Sequence, residues 1–254
     1  SDNQFMGEMI KYADDTNIWE YIPYQVNTDC IQEATDSIVD WSLRNKFELN
    51  PSKCKEMVIN FQQNRPDFAP IAIQGQTIAR VEKATILGMS ITQDLKWNEH
   101  VDKITTKAAK RLYLLKQLKR SGLDSDDLKC FYIASIRSIV EYACKVFHYG
   151  LPKYLSDMIE RIQKRAMHII LPNLSYENAL GTLDMKKLWL RREDLCCKLF
   201  KSIVDDENHK LHYLLPQKVS DTYNFRKLKE FYIPNYRTNR FRDTFIMSSL
   251  LNGQ

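Results

Sequence analysis

Glycine and proline are scarce in this chain, seven and eight among 254 residues, which excludes a collagen-like, linker-rich or low-complexity protein. Long apolar runs are missing too. Nothing approaches the roughly 18–20 residues of a membrane span, and no basic segment followed by an apolar one marks a secretory leader, so no membrane partner is expected. The six cysteines, Cys30, Cys54, Cys130, Cys144, Cys196 and Cys197, lack the paired spacing of a disulfide framework, and a chain of this length can bury a core without one. Reduced thiols in an intracellular protein are the expectation. The first residue is Ser1 rather than Met, and a fragment or a processed chain is expected on that ground. A strong charge imbalance is also lacking, since a net charge of +5 is too small to name a partner by itself.

What is present is a mixed pattern. A composition 44% hydrophobic and 27% charged fits one large or two modest globular domains. Residues 9–13 and 16–22 read as two strands about a tight turn. Ile31, Ala34, Ile38 and Trp41 recur at helical steps after a cap at Asn27 or Thr28. Residues 57–61 read as a strand, residues 71–73 and 77–81 as a small hairpin, and residues 86–91 as a strand with Gly88 inside it, where a bend or a close backbone approach is expected. From about residue 95 the pattern is helical nearly throughout. Val101, Ile104, Ala108, Leu112, Leu115 and Leu118 form one apolar stripe, and residues 101–120 hold seven basic residues and one acid. Asp124-Ser125-Asp126-Asp127 opens a helix expected to run through Tyr142. Further helices are expected over residues 155–171 and 185–204, before a weakly periodic tail from Leu214. The fold class is therefore α+β, with strands up to about residue 92 and helices beyond.

Tyr12-Ala13-Asp14-Asp15 puts two carboxylates at the tip of the first hairpin. Aspartate is a favoured turn residue, and a solvated turn is the ordinary reading of such a pair. The other reading is a site for a hard divalent cation, because Mg²⁺ takes one or two carboxylates together with substrate phosphate oxygens. The string resembles the third catalytic motif of reverse transcriptases, the strand-turn-strand at the centre of the polymerase palm. The downstream sequence is similar, in order and spacing, to the non-LTR (LINE-type, jockey-like) retrotransposon reverse transcriptases. A helix leading to Leu49-Asn50-Pro51-Ser52-Lys53 resembles the family's next motif. Thr85-Ile86-Leu87-Gly88-Met89 resembles its primer grip, and residues 95–101 its entry to the thumb. Residues 139–143, 159–166 and 236–246 look like its later segments.

The resemblance implies a partial polymerase palm of antiparallel strands plus a helix over residues 1–92, a helical thumb over 93–172 and a C-terminal region over 173–254. It implies transfer of a deoxynucleotide onto a primer 3′-hydroxyl with loss of pyrophosphate, assisted by a two-ion Mg²⁺ site. Asp14 and Asp15 would be metal ligands. Lys53 would stand near the triphosphate, to neutralise pyrophosphate or give it a proton; a solvated charge at a strand start is its plain alternative. Tyr12 would lie beside the template and primer, or serve as a strand aromatic. Leu87, Gly88 and Met89 would hold the primer end. Lys103, Lys107, Lys110 and Arg111 would follow the phosphates of an RNA–DNA hybrid, with Arg161, Lys164, Arg165 and His168 as a second basic group. The implied partners are an RNA template, a DNA primer and a deoxynucleoside triphosphate, in the nucleus or a cytoplasmic ribonucleoprotein.

The family's first aspartate motif and its fingers precede this hairpin, yet only eleven residues precede Tyr12 here. The Mg²⁺ site is thus expected to be incomplete and the chain alone inactive, its N-terminal half lying elsewhere. A non-catalytic hybrid-binding remnant and a decayed, inactive fragment are the competing readings. Cys196, Cys197, His209 and His212 raise the thought of zinc, but adjacent cysteines lack the usual ligand spacing, and thiols on a helix are the simpler reading.

Overall fold

In a computed structural model of the chain, residues 7–22, 30–62, 68–219 and 231–252 are described. The first apolar runs form an antiparallel hairpin, β1 (Gly7–Tyr12) and β2 (Asp15–Glu20), with Gly7 opposite Glu20 and Tyr12 opposite Asp15. The turn is the pair Ala13-Asp14, with Ala13 at φ 50°. Helix α1 (Cys30–Arg44) comes next, and the cap expected at Asn27 or Thr28 lies outside the described residues. Its buried residues are Cys30, Thr35, Val39 and Ser42, so the buried face is rotated from the expected stripe. Trp41 instead stacks on Phe47 at the surface, ring centroids 5.4 Å apart. Thr35 and Ser42 tolerate burial because their hydroxyls donate to the carbonyls of Ile31 and Val39, each at 2.7 Å.

Among the described residues six short strands lie beyond α1: β3 (Lys55–Glu56), β4 (Ala72–Ile73), β5 (Gln76–Thr77), β6 (Ala79–Arg80), β7 (Lys83–Ile86) and β8 (Met89–Thr92). Every sheet among the described residues has two strands, β3 pairing with β6, β4 with β5 and β7 with β8. Two expectations fail here. The β3–β6 pair is parallel, where only antiparallel strands were expected, and residues 57–61 are not a strand. An apolar run shows that side chains can be buried, but a strand also needs a neighbour for its N–H and C=O groups. The expected hairpin at Gln74-Gly75 is present, both residues having positive φ. The side-chain amide of Gln32 acts as a neighbouring strand for β4, donating to the Ala72 carbonyl at 2.8 Å and accepting its N–H at 2.9 Å. Arg80 grips Glu56 through two bonds of 2.9 and 3.1 Å.

The chain divides into two compact units, Ser1–Ile86 with Ile91–Leu95, and Leu87–Ser90 with Lys96–Gln254. The second contains α2 (Asn98–Arg120), α3 (Ser125–Phe131), a π-helical turn (Tyr132–Arg137), α4 (Ser138–Glu141), α5 (Cys144–Phe147), α6 (Lys153–Ile170), α7 (Tyr176–Thr182), α8 (Leu188–Asp205), α9 (Asn239–Arg242) and α10 (Phe245–Asn252). The α2 stripe is buried as its period predicts at Val101, Ile104, Ala108, Leu112 and Leu115. The helix expected to run from Asp124 to Tyr142 is broken. Asp124 caps it as expected, accepting from the N–H groups of Asp126 and Asp127 at 2.9 Å. The chain then passes through the π turn and leaves the helix at Tyr142, with Ala143 left-handed at φ 51°. Gly150 lets this unit close: a Cβ there would lie 2.9 Å from Trp97 Nε1. Gly150→Ala is therefore expected to lower stability by about 1–3 kcal/mol through overpacking, read as a lower melting temperature.

A polar network ties these helices together inside the apolar core. Gln163 of α6 is fully buried; it accepts from Tyr132 Oη at 2.6 Å and donates to Tyr176 Oη at 2.9 Å and the Lys186 carbonyl at 3.0 Å. Glu160, one turn earlier, accepts from Tyr176 Oη and from the N–H groups of Leu188 and Trp189, each of the latter at 3.2 Å. Lys187 makes no side-chain cap for α8, so a carboxylate from α6 caps that helix and meets the positive end of its dipole.

Candidate functional site

Tyr12 and Asp15 face each other across the hairpin, and Ile10–Asn17 and Glu8–Trp19 are the next pairs on the same face by strand alternation. Lys11 belongs to the other face, where its ammonium lies 5.3 Å from the Trp41 ring centroid of α1. On the Asp15 face, Tyr12, Ile10 and Trp19 are 65%, 53% and 47% exposed. Asp14 and Asp15 are both exposed. Their separate places, Asp14 in the turn and Asp15 at the first strand position, give the two carboxylates different directions from one tip.

Lys53 ends a short 3₁₀ turn, Pro51–Lys53, and is exposed. Asn50 starts that turn by accepting from Ser52 N at 3.1 Å and Ser52 Oγ at 2.6 Å. Pro51 suits the first helical position, where no N–H partner is needed. The Asn-Pro-Ser-Lys string therefore has a local structural cause, independent of any ligand.

Leu87 and Gly88 are not inside a strand. They form a two-residue turn between β7 and β8, at φ 47° and φ 81°, the two positive values that a type I′ hairpin turn requires. Leu87 and Gly88 are exposed, whereas Met89 is buried. Three side chains of the helical unit hold this hairpin end. Tyr142 Oη donates to the Leu87 carbonyl at 2.7 Å, Ser90 N–H donates to His100 Nδ1 at 3.3 Å, and Lys103 Nζ donates to Ser90 Oγ at 3.3 Å. Sequence periodicity does not single out Tyr142 or His100 for this role; their partners lie 55 and 10 residues away, and only the fold brings each pair together.

Along α2, Lys103, Lys107 and Lys110 are exposed and Arg111 is half-buried. Their spacing puts them on adjoining turns of one side, with Tyr113 and Leu114 exposed further along. On α6, Arg161, Lys164, Arg165 and His168 flank the buried stripe, and Lys164 lies over the Tyr176 ring at 5.4 Å. Such faces can follow phosphate groups, with exposed aromatics available for stacking.

His100 is fully buried between the rings of Trp97 and Phe147, with centroids 6.1 and 5.1 Å away. Burial lowers its pKa below the ordinary value, and nearby Lys103 adds to the effect. His148 is lowered as well, chiefly by burial and despite its 2.7 Å bond to Glu193. Both imidazoles are therefore neutral in the folded chain near pH 7. The unfolded chain takes up protons at these groups first, below about pH 6.5, so stability is full above that pH and falls as pH drops toward the folded values. The melting temperature is expected to decline as pH falls below about 6.5, and His100→Gln to make that decline shallower.

Cys196 is buried and Cys197 exposed, on different sides of α8. Burial is the main cause pushing the Cys196 thiol up to about 12, so it behaves as an apolar group. Among the described residues no group of three His, Cys, Asp or Glu side chains is arranged to hold a metal ion, neither here nor at Asp14 and Asp15. No described helix is long and apolar enough to cross a membrane.

Sequence comparison adds one relation. The chain is distantly similar to an RNA-directed DNA polymerase of a transposon, that is, to a reverse transcriptase. The relative is the probable RNA-directed DNA polymerase from transposon BS of Drosophila melanogaster, 22% identical over 201 residues, which are 78% of this chain and 22% of that protein. The chain thus spans about a fifth of that relative's length. No family model and no solved structure matches the chain.

Proposed function

We propose that this chain is the C-terminal portion of the reverse transcriptase of a non-LTR, jockey-like retrotransposon. In this reading residues 1–92 end the palm and carry the primer grip, residues 93–172 form the thumb, and residues 173–254 lie beyond it. The observation that carries the reading is the Tyr12-Ala13-Asp14-Asp15 string at the turn of an antiparallel hairpin, with Asp15 opposite Tyr12. The similarity to a transposon RNA-directed DNA polymerase supports it.

The whole enzyme would extend a DNA primer on an RNA template, taking up deoxynucleoside triphosphates, in the nucleus or a cytoplasmic ribonucleoprotein. Two exposed carboxylates on one tip supply fewer oxygens than a pair of Mg²⁺ ions needs, and among the described residues no third ligand joins them. In this reading Asp14 and Asp15 would contribute to a Mg²⁺ site completed by an aspartate of the polymerase's N-terminal half. Lys53 would meet the triphosphate, and Lys103, Lys107, Lys110 and Arg111 the hybrid backbone. This chain alone is expected not to extend a primer.

A second reading, hybrid binding without catalysis, is favoured by the exposed basic side of α2. The coding sequence upstream of Ser1 separates them. A continuous open frame carrying a further strand with a Phe-x-x-Asp aspartate supports the polymerase. A stop codon or unrelated sequence there contradicts it and leaves the binding module.

A further inference from the structure

We propose that Tyr142 is a positioning residue that sets the angle at which the Leu87-Gly88 turn is presented to a nucleic-acid 3′ end. The inference rests on the reading of that turn as the primer-holding hairpin, and assigns it a support from a distant helix. A two-residue turn with both φ positive suits the twist of a hairpin, but leucine meets a steric penalty there that glycine does not. Leu87 nevertheless takes φ 47° with its side chain exposed. Packing of Leu87 therefore does not account for the conformation, while the 2.7 Å bond from Tyr142 Oη to its carbonyl does fix the peptide plane joining Leu87 to Gly88. The ring lies beside the turn without crowding it: a Cβ built on Gly88 would lie 3.6 Å from Tyr142 Cε1, an ordinary contact distance.

Tyr142 is itself held from behind. The neighbouring carboxylate, Glu141, is paired with Arg191 of α8 at 2.7 and 3.1 Å, and Arg137 lies 3.6 Å from it. The chain then leaves the helix at Tyr142, where ψ is 126°, and Ala143 turns left-handed. The break redirects only the chain beyond Tyr142; its own φ of −57° is helical, so α4 sets the direction of the Tyr142 side chain. The far side of the hairpin end is fixed independently through Ser90, by His100 and Lys103 of α2. The turn is thus gripped from two helices, and its two exposed residues are the part left for a ligand.

Tyr142→Phe removes the hydroxyl and keeps the ring. Two readouts on the full chain test the proposal: amide hydrogen exchange at residues 87–90, and affinity for an RNA–DNA hybrid with a recessed DNA 3′ end relative to the same hybrid with blunt ends. The expected result is faster exchange at the turn, an unchanged melting temperature, and a loss of about threefold or more in the preference for the recessed end, as the loss of one hydrogen bond allows. Arg191→Gln is expected to give the same direction with a smaller loss. A wild-type preference for recessed ends that Tyr142→Phe retains in full overturns the positioning role and leaves the primer-holding reading standing. A wild-type chain with no preference for recessed ends overturns both.

Discussion

Glu160→Ala is expected to destabilise the helical unit by about 3–5 kcal/mol, the range for removing one partner of a buried, hydrogen-bonded charge. The carboxylate is 8% exposed and accepts three hydrogen bonds, from Tyr176 Oη and the first two N–H groups of α8. Alanine leaves all three donors unpaired inside the core, each at a cost of roughly 1–3 kcal/mol before relaxation. It also removes a negative charge from the positive end of an 18-residue helix. Glu160→Gln keeps an acceptor oxygen in place and is expected to lose about half as much. Urea denaturation monitored by far-ultraviolet circular dichroism measures both. A loss below about 1 kcal/mol for the alanine variant would show that solvent or a neighbouring side chain caps α8 as well as Glu160 does.

The double reversal Lys107→Glu and Lys110→Glu is expected to weaken binding of an RNA–DNA hybrid at least about tenfold at low salt, while leaving the fold intact. Both side chains are exposed on α2 and contribute nothing to its buried stripe. Removing a phosphate-neutralising side chain should lower the slope of log affinity against log salt by nearly one, so the variant should also be less salt-sensitive than the wild type. Asp14→Asn, which removes no phosphate-neutralising cation, should leave affinity unchanged when no Mg²⁺ is present. If the double reversal binds as tightly as wild type, the basic side of α2 is a solvated helix face and nothing more.

Much of the helical unit is legible in the sequence because its signals are local. The stripe from Val101 to Leu115 and the aspartate cap at Asp124 each depend on residues within a few turns, and both occur where the periodicity puts them. The break at Tyr142-Ala143 is not legible, since no glycine or proline marks it; contacts from elsewhere, such as Arg191 on Glu141, hold the chain there. The rotated face of α1 escapes a hydropathy reading because Trp41 ranks above Thr35 and Ser42, whereas their self-satisfied hydroxyls let the smaller residues go inside. The hairpin at Asp14 and Asp15 is legible as strand, turn and strand, but the division of labour between a turn carboxylate and a strand carboxylate needs the register. At Leu87-Gly88 the glycine is a true signal of unusual backbone. Its consequence, a tight turn rather than a bent strand, depends on Leu87 also adopting positive φ, which leucine does not announce.

If this chain is built to hold a nucleic-acid hybrid as part of a polymerase, it must bind one through phosphate contacts. Titration of a fluorescently labelled RNA–DNA hybrid with the purified chain, repeated from about 50 to 200 mM salt, tests this most directly. The expected result is saturable binding whose log–log salt slope is about −3 or steeper, as roughly three to four phosphate contacts require. Absence of binding at the lowest salt, or binding indifferent to salt, would contradict it.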